Sequence, residues 1–386
     1  MSSEVFSSIE VITDEEIERV KTLIGVPLRI KQFNSEATLD TIRHFAEGAG
    51  DENPLWVDEE YAAIGPYAGI VAPPCFPYGV FAAGVTPGFG GLQVFFGTGI
   101  WDWMRPIRRG ESVKASTMLT DMYERSGRSV DRMLVQVAET RYTVADELVA
   151  IYTSKALRVP RATTGQGLKY TPRETYIYTE QEMNDIERLT LGRVRRGAAR
   201  MVWGEVPDGT DIPALVKGPL DLTTIIAFYS GALPFGYAPC DTQWRNRHLA
   251  RTVPEKIPNN RDAGWIAETT WPGMGHYKAE VAEAVGMPGV YDNGWMRTTW
   301  MSQVVTDWMG DYGFLKAMES KLIRPNLMGD TTWFHGTVTA KEVVEGQGLV
   351  HLELKGLNQL GETTCTGSAT VALPITDSDA PATAPR

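Results

Sequence analysis

Two stretches of the chain alternate between apolar and polar residues, and each follows the same short motif. Arg105-Pro106-Ile107-Arg108-Arg109-Gly110-Glu111 recurs 219 residues later as Arg324-Pro325-Asn326-Leu327-Met328-Gly329-Asp330, so both read R-P-x-x-x-G-acid. After the first come Val113–Tyr123, Val130–Tyr142 and Leu148–Val159; after the second come Thr331–Val344, Gly348–Leu357 and Thr363–Leu373. A period of two marks half-buried antiparallel strands. Arg125-Ser126-Gly127-Arg128 and Glu345-Gly346-Gln347-Gly348 supply the turn chemistry between them.

Helical spacing lies upstream of each strand set. Ala37–Gly48 puts Leu39, Ile42, Phe45 and Ala46 on one face and ends in glycines. Asp58–Ile64 predicts a short second helix, stopped by Gly65-Pro66. In the second half Leu222–Tyr229 and Lys278–Val285 predict the counterparts, stopped by Gly231 and Gly286. Ala62 and Ala282 are 220 residues apart, and Gly65 and Gly286 are 221 apart. A constant offset over several landmarks identifies an internal duplication. The plan is helix then long antiparallel sheet, twice, with each sheet wrapped round a central helix in an α+β fold. The expected divisions are 12–160 for the first unit, 161–184 for a polar linker and 185–375 for the second unit. An insertion at 235–270 has no counterpart in the first half, and 376–386 reads as a disordered tail.

With 43% apolar and 22% charged residues, 386 residues suffice for two buried cores. The formal charge of −11 disfavours nucleic acid and anionic lipid as partners, and no extended basic patch offsets it. The chain has no apolar run of membrane-spanning length. Its first ten residues lack the features of a signal peptide. Three widely spaced cysteines, Cys75, Cys240 and Cys365, fit a reducing compartment, so the expected location is the cytoplasm. No His, Cys or Asp cluster has metal-ligand spacing, and no cofactor fingerprint is evident. Eleven tryptophans suit large cores or apolar ligand cavities.

The sharpest local motif is Gly48-Ala49-Gly50-Asp51-Glu52-Asn53-Pro54-Leu55-Trp56-Val57-Asp58. A helix ending in glycines before Asp51 and Asn53 aims polar groups into the space beyond it. Capping of the turn backbone is the plainer role for the same residues. The motif resembles the G-D-x-N-P-x-H-x-D loop of the MaoC-like dehydratases and (R)-specific enoyl-CoA hydratases. Gly50, Asp51, Asn53, Pro54 and Asp58 match it, and so do the Ile70–Pro74 run and the strand entry at Arg105. The likeness covers about Phe33 to Pro160, and Tyr291–Pro374 is similar to the family's C-terminal half. It implies a double hot-dog fold that binds an acyl thioester between its halves.

In that family one loop supplies an Asp and a His that together move the proton of a water. Here the His position of the first half is Trp56, and an indole has no acceptor. The alignment through Ala282 places His276 at that position in the second half, with Trp271 where the Asp would be. The resemblance therefore implies a site on His276, with Asp292, sixteen residues on, or Asp51 as its carboxylate. It puts Gly294 where a backbone donor meets the thioester carbonyl, at a helix start. Asn53, Trp56, Trp295 and Arg324 complete the expected substrate contacts. A packed, satisfied histidine and a helix-capping Asp292 are the structural alternatives.

Three functions compete. The first is a hydratase or dehydratase acting on a 2-enoyl or 3-hydroxyacyl thioester, CoA-linked and with a bulky acyl group, by His/Asp general acid–base catalysis. The second is a degenerate acyl-thioester-binding or partner subunit without turnover. The third is a hot-dog thioesterase. A homodimer is the expected assembly.

Overall fold

The computed structural model describes residues 12–89, 92–126, 132–160, 173–232, 240–253, 272–284 and 286–376. The expected tail beyond Thr376, half of the expected linker and most of the expected insertion lie outside these. The described end of the linker runs into a helix, Glu180–Leu191, and the described part of the insertion is also a helix, Cys240–Thr252.

The two strand sets merge into one nine-stranded antiparallel sheet. Its strands are β1 (Gln93–Trp103), β2 (Val113–Arg125), β3 (Met133–Val144), β4 (Glu147–Val159), β5 (Asp211–Lys217), β6 (Phe314–Leu322), β7 (Thr332–Val344), β8 (Gln347–Asn358) and β9 (Thr363–Leu373). Their order is β2-β3-β4-β1-β6-β9-β8-β7-β5. The seam is β1 against β6, from Thr98 opposite Lys321 to Asp102 opposite Ala317. The duplication is visible even in isolated bridges: Val71 pairs Arg108 in the first half and Tyr291 pairs Leu327 in the second.

The halves differ in what their sheets wrap. In the second it is a sixteen-residue helix, Gly294–Met309, with every residue from Trp295 to Met309 buried. A helix buried on every side belongs to a core, although this one carries polar residues too. Some of its polar residues are satisfied locally: Ser302 Oγ donates to Thr299 O at 2.7 Å, and Thr298 Oγ1 meets Ser320 Oγ at 2.9 Å.

In the first half the central helix is reduced to one turn, Pro77–Val80. The expected plan of two sheets, each wrapped round a helix, holds, with the helix of the first unit shortened. Pro73, Pro74, Pro77 and Pro87 deny the segment a continuous ladder of N–H donors. The chain runs on to Phe89 as irregular, wholly buried backbone. Buried carbonyls need donors, and here the sheet supplies them. Tyr142 Oη donates to Phe81 O at 2.7 Å, and Gln136 Nε2 donates to Pro87 O at 2.8 Å. Arg158 spreads its guanidinium over the carbonyls of Thr86, Gly88 and Leu92 and the Gln136 side chain.

The helices Leu39–Ala49 and Leu222–Gly231 pack across the junction of the halves, with glycines at the crossing. A Cβ on Gly231 would stand 2.0 Å from His44 O, and one on Gly48 would stand 2.8 Å from Ala227 O. Gly231→Ala is therefore expected to lower stability by about 1–3 kcal/mol as the helices are forced apart. The midpoint of urea unfolding reads this; an unchanged midpoint would mean the crossing yields freely.

Candidate active site

His276 closes a 3-10 turn, Pro272–His276, just before the short helix Ala279–Ala284. The ring is half-buried, 4.4 Å from Tyr291 and 6.2 Å from Tyr229 between centroids. Its Nδ1 lies 3.0 Å from Tyr291 O. A carbonyl only accepts, so Nδ1 carries the proton and the neutral ring keeps Nε2 as its acceptor. Burial pushes the imidazole down to about 4, outweighing the carbonyl of Tyr291 and aided by the nearby Arg297 charge. The ring is thus neutral at neutral pH and competent as a base.

The start of the Gly294–Met309 helix adjoins this ring through Tyr291 and the Asp292 backbone. Asn293 caps the helix: its Oδ1 accepts from Trp295 N at 2.8 Å, and its Nδ2 donates to Tyr229 Oη at 2.8 Å. The Gly294 amide makes no hydrogen bond among the described residues. A Cβ on Gly294 would stand 2.4 Å from Leu322 Cδ1, so the backbone approaches its neighbours closely there. Trp295 lies against Phe96 at 4.3 Å between centroids, forming an apolar wall beside that amide.

Asp292 is buried beneath this group. Its carboxylate pairs with Arg297 Nε at 2.8 Å and accepts from Asn326 N and Nδ2 at 3.1 and 2.9 Å. Burial pushes its carboxyl up to about 6, against the pull of Arg297 and the Asn326 donors. It neither caps the helix nor hydrogen-bonds His276; only its backbone reaches the ring.

Asp51, Asn53 and Trp56 form a separate group. Trp56 Nε1 donates to Asp51 Oδ2 at 3.1 Å, Asp51 Oδ1 accepts from Asn53 N at 3.3 Å, and Asn53 Oδ1 caps Leu55 N at 3.0 Å. Asp51 also faces Arg193 at 3.5 Å, and Arg193 pairs with Asp307 at 2.6 Å. Lys217 Nζ donates to Gly50 O at 2.8 Å, and burial with the Arg193 charge pushes it down to about 7. This cluster adjoins the end of the long helix, whereas His276 adjoins its start. At 1.5 Å per residue that separates Asp51 from His276 by roughly 20 Å. Arg324 lies at the surface, 3.4 Å from Glu362, and its carbonyl accepts from Arg297.

The residues that sequence reading missed are Tyr229, Tyr291, Asn293 and Arg297. Arg297 had a signal, as a lone cation inside an apolar run. Tyr229 had none, since it is separated from His276 by the insertion. Among the described residues no three His, Cys, Asp or Glu side chains group as a metal site would require.

Residues 22–152 match the model of the FAS1-like dehydratase domain region. A UPF0336 protein of Streptomyces avermitilis is 30% identical over 102 residues, spanning 25% of this chain and 68% of that protein. A solved MaoC-like dehydratase superposes with a TM-score of 0.63 at 15% identity, covering 92% of this chain and all of that one. A conserved hypothetical protein of Mycobacterium tuberculosis, described as having a double hotdog fold, gives 0.51 at 11% identity, covering 91% and 96%.

Proposed function

Because the chain belongs with the UPF0336 proteins, carries a FAS1-like dehydratase region in its first half and shares the fold of a MaoC-like dehydratase, we propose that it hydrates a 2-enoyl thioester or dehydrates the 3-hydroxyacyl product. The thioester is CoA-linked in this reading, and the acyl group is bulky. The observation that carries it is the anchored imidazole of His276, neutral and backed by Tyr291 O, next to a helix start whose Gly294 amide is unspent.

In the hydration direction Nε2 takes a proton from water as the oxygen bonds to C3. The electron pair of the C2=C3 bond moves onto the thioester oxygen, where the Gly294 N–H and the helix dipole stabilise the enolate. The imidazolium then returns its proton to C2, which completes the addition of one water. The Phe96–Trp295 wall accompanies the acyl group. Asp292 acts as a positioning residue: its ion pair with Arg297 holds the backbone that orients the ring. Asp51 braces its own loop and takes no part at His276. The protein works as a cytoplasmic homodimer in this reading; no helix among the described residues is long and apolar enough to cross a membrane.

A second reading is a thioester-binding subunit without turnover, favoured by the lack of a carboxylate hydrogen-bonded to His276. A panel of enoyl-CoAs of increasing bulk separates the readings. Loss of the conjugated enoyl absorbance without thiol release supports the hydratase. Thiol release identifies a thioesterase, and binding with neither signal identifies the subunit.

The pH profile is a further test. A base titrating at about 4 stays neutral between pH 7 and pH 5, so its deprotonated fraction changes little there. An imidazole with the ordinary value of about 6.5 would cost about 30-fold in kcat/KM by pH 5. The expected profile lacks that loss. A limb near pH 6 that disappears in Asp292→Asn belongs to the Asp292 carboxyl, whose protonation weakens its pair with Arg297. A limb near pH 6.5 that survives that substitution contradicts the buried, neutral His276.

A further inference from the structure

The face of the nine-stranded sheet turned away from the helices carries its charges in rows. Lys155, Thr98, Lys321, Thr366 and Lys355 stand side by side on β4, β1, β6, β9 and β8. Two residues along the same strands stand Thr153, Ile100, Glu319, Ser368 and Glu353, and Glu139 on β3 extends that row. All of them are half-buried or exposed, whereas Tyr152, Trp101, Met318, Ala369 and Leu354, which alternate with them, are buried on the other face.

The charges are sorted by sign. A solvated sheet gains from opposite charges directly across from each other on neighbouring strands. No lysine or glutamate of these rows has such a neighbour: Thr98 and Thr366 separate the lysines, and Thr153, Ile100 and Ser368 separate the glutamates. Lys321 pairs with Glu319 along its own strand, as Arg141 does with Glu139. Lys155, Lys355 and Glu353 have no ion pair among the described residues.

We propose that this face is where two copies of the chain meet, each laying its lysine row on the glutamate row of the other. Neighbouring rows lie about 6.8 Å apart. A two-fold axis parallel to the rows and midway between them exchanges the two. Lys321 then meets the partner's Glu319 and Lys355 meets the partner's Glu353, each contact made twice by symmetry. The same rotation sets Ile100 against the partner's Thr98, at the seam of the two halves. Sheets packed face to face keep their strands nearly aligned about 10 Å apart, a gap that lysine and glutamate side chains span from both sides. Six strands about 4.8 Å apart and a length of about 20 Å along them give roughly 600 Å² a side. The pair would bury about 1,200 Å², the lower end of specific interfaces. The proposal rests on the homodimer reading, to which it gives a surface, and it does not involve His276.

The test is sedimentation velocity of the full chain over a concentration series, beside two charge-reversed proteins. Lys321→Glu with Lys355→Glu leaves only negative charge at the four facing positions, and Glu319→Lys with Glu353→Lys leaves only positive charge. Each reversed protein alone should dimerise at least about tenfold more weakly than the unaltered chain, because like charges then face each other. An equimolar mixture of the two should recover the association as a heterodimer. All four positions are exposed or half-buried, so both proteins should fold. Glu353→Gln with Lys355→Gln is the milder change should a reversal not fold, and it should weaken the dimer in the same direction. A dimer that neither reversal nor the milder change weakens sits on another face and overturns the proposal while keeping the homodimer. Reversed proteins that do not recover when mixed overturn it as well. A chain still monomeric at about 100 µM, where an interface of micromolar affinity would be filled, overturns the face and the homodimer together. None of these results bears on the His276 reading, whose test is turnover.

Discussion

Arg158→Met lowers the stability of the protein by at least about 3 kcal/mol. Arg158 is fully buried in β4 and is the main donor to the irregular backbone that stands in for a central helix in the first half. Removing it leaves the carbonyls of Thr86, Gly88 and Leu92 and the Gln136 side-chain oxygen without that donor. Each buried acceptor left unpaired costs about 1–3 kcal/mol, and methionine replaces only part of the volume. The loss is read from the urea midpoint at constant slope. A change below about 1 kcal/mol would mean that the segment finds other donors, and the account of the first half would fail.

The duplicated plan was legible because it rests on local chemistry. The glycine turns after R-P-x-x-x, the period of two in β2, β3, β4, β7, β8 and β9 and the glycine-stopped helices all follow from backbone rules. What was not legible depends on contacts distant in sequence. β1 carries Gly97 and Gly99 amid aromatics and shows little alternation, because it sits at the seam with neighbours on both sides. β5 contains Pro213 and an irregular register, as an edge strand tolerates. The shortening of the first central helix was hidden because the run Phe76–Ala83 is apolar enough for a full one, and only the buried Arg158 on another strand shows how its backbone is satisfied.

The candidate site divides along the same line. The 220-residue offset singled out His276 without help from structure. The resemblance, and its place sixteen residues after His276, led to Asp292 as a partner carboxylate, but Arg297 and Asn326 hold that carboxylate away in contacts of their own. Tyr291 enters through its carbonyl, which side-chain chemistry does not reveal. Asp51 kept the motif of a reactive loop but serves its own turn, because Trp56 supplies it with an N–H where an imidazole would stand.

His276→Ala is the substitution with the greatest expected effect on function. In the proposed reaction the imidazole both accepts the proton from water and delivers it to C2, and no other side chain among the described residues hydrogen-bonds it to share that work. Positioned acid–base catalysis contributes about 10²–10⁴ in rate. The loss falls on kcat/KM, while folding is little changed because the ring, held by the backbone of Tyr291 and Asp292, is on a half-buried turn. The decisive measurement is kcat/KM for hydration of the best enoyl-CoA in the screen, for the unaltered protein and for His276→Ala of equal urea midpoint. A fall of at least about 100-fold is the predicted result; equal rates in the two proteins would remove His276 from the chemistry.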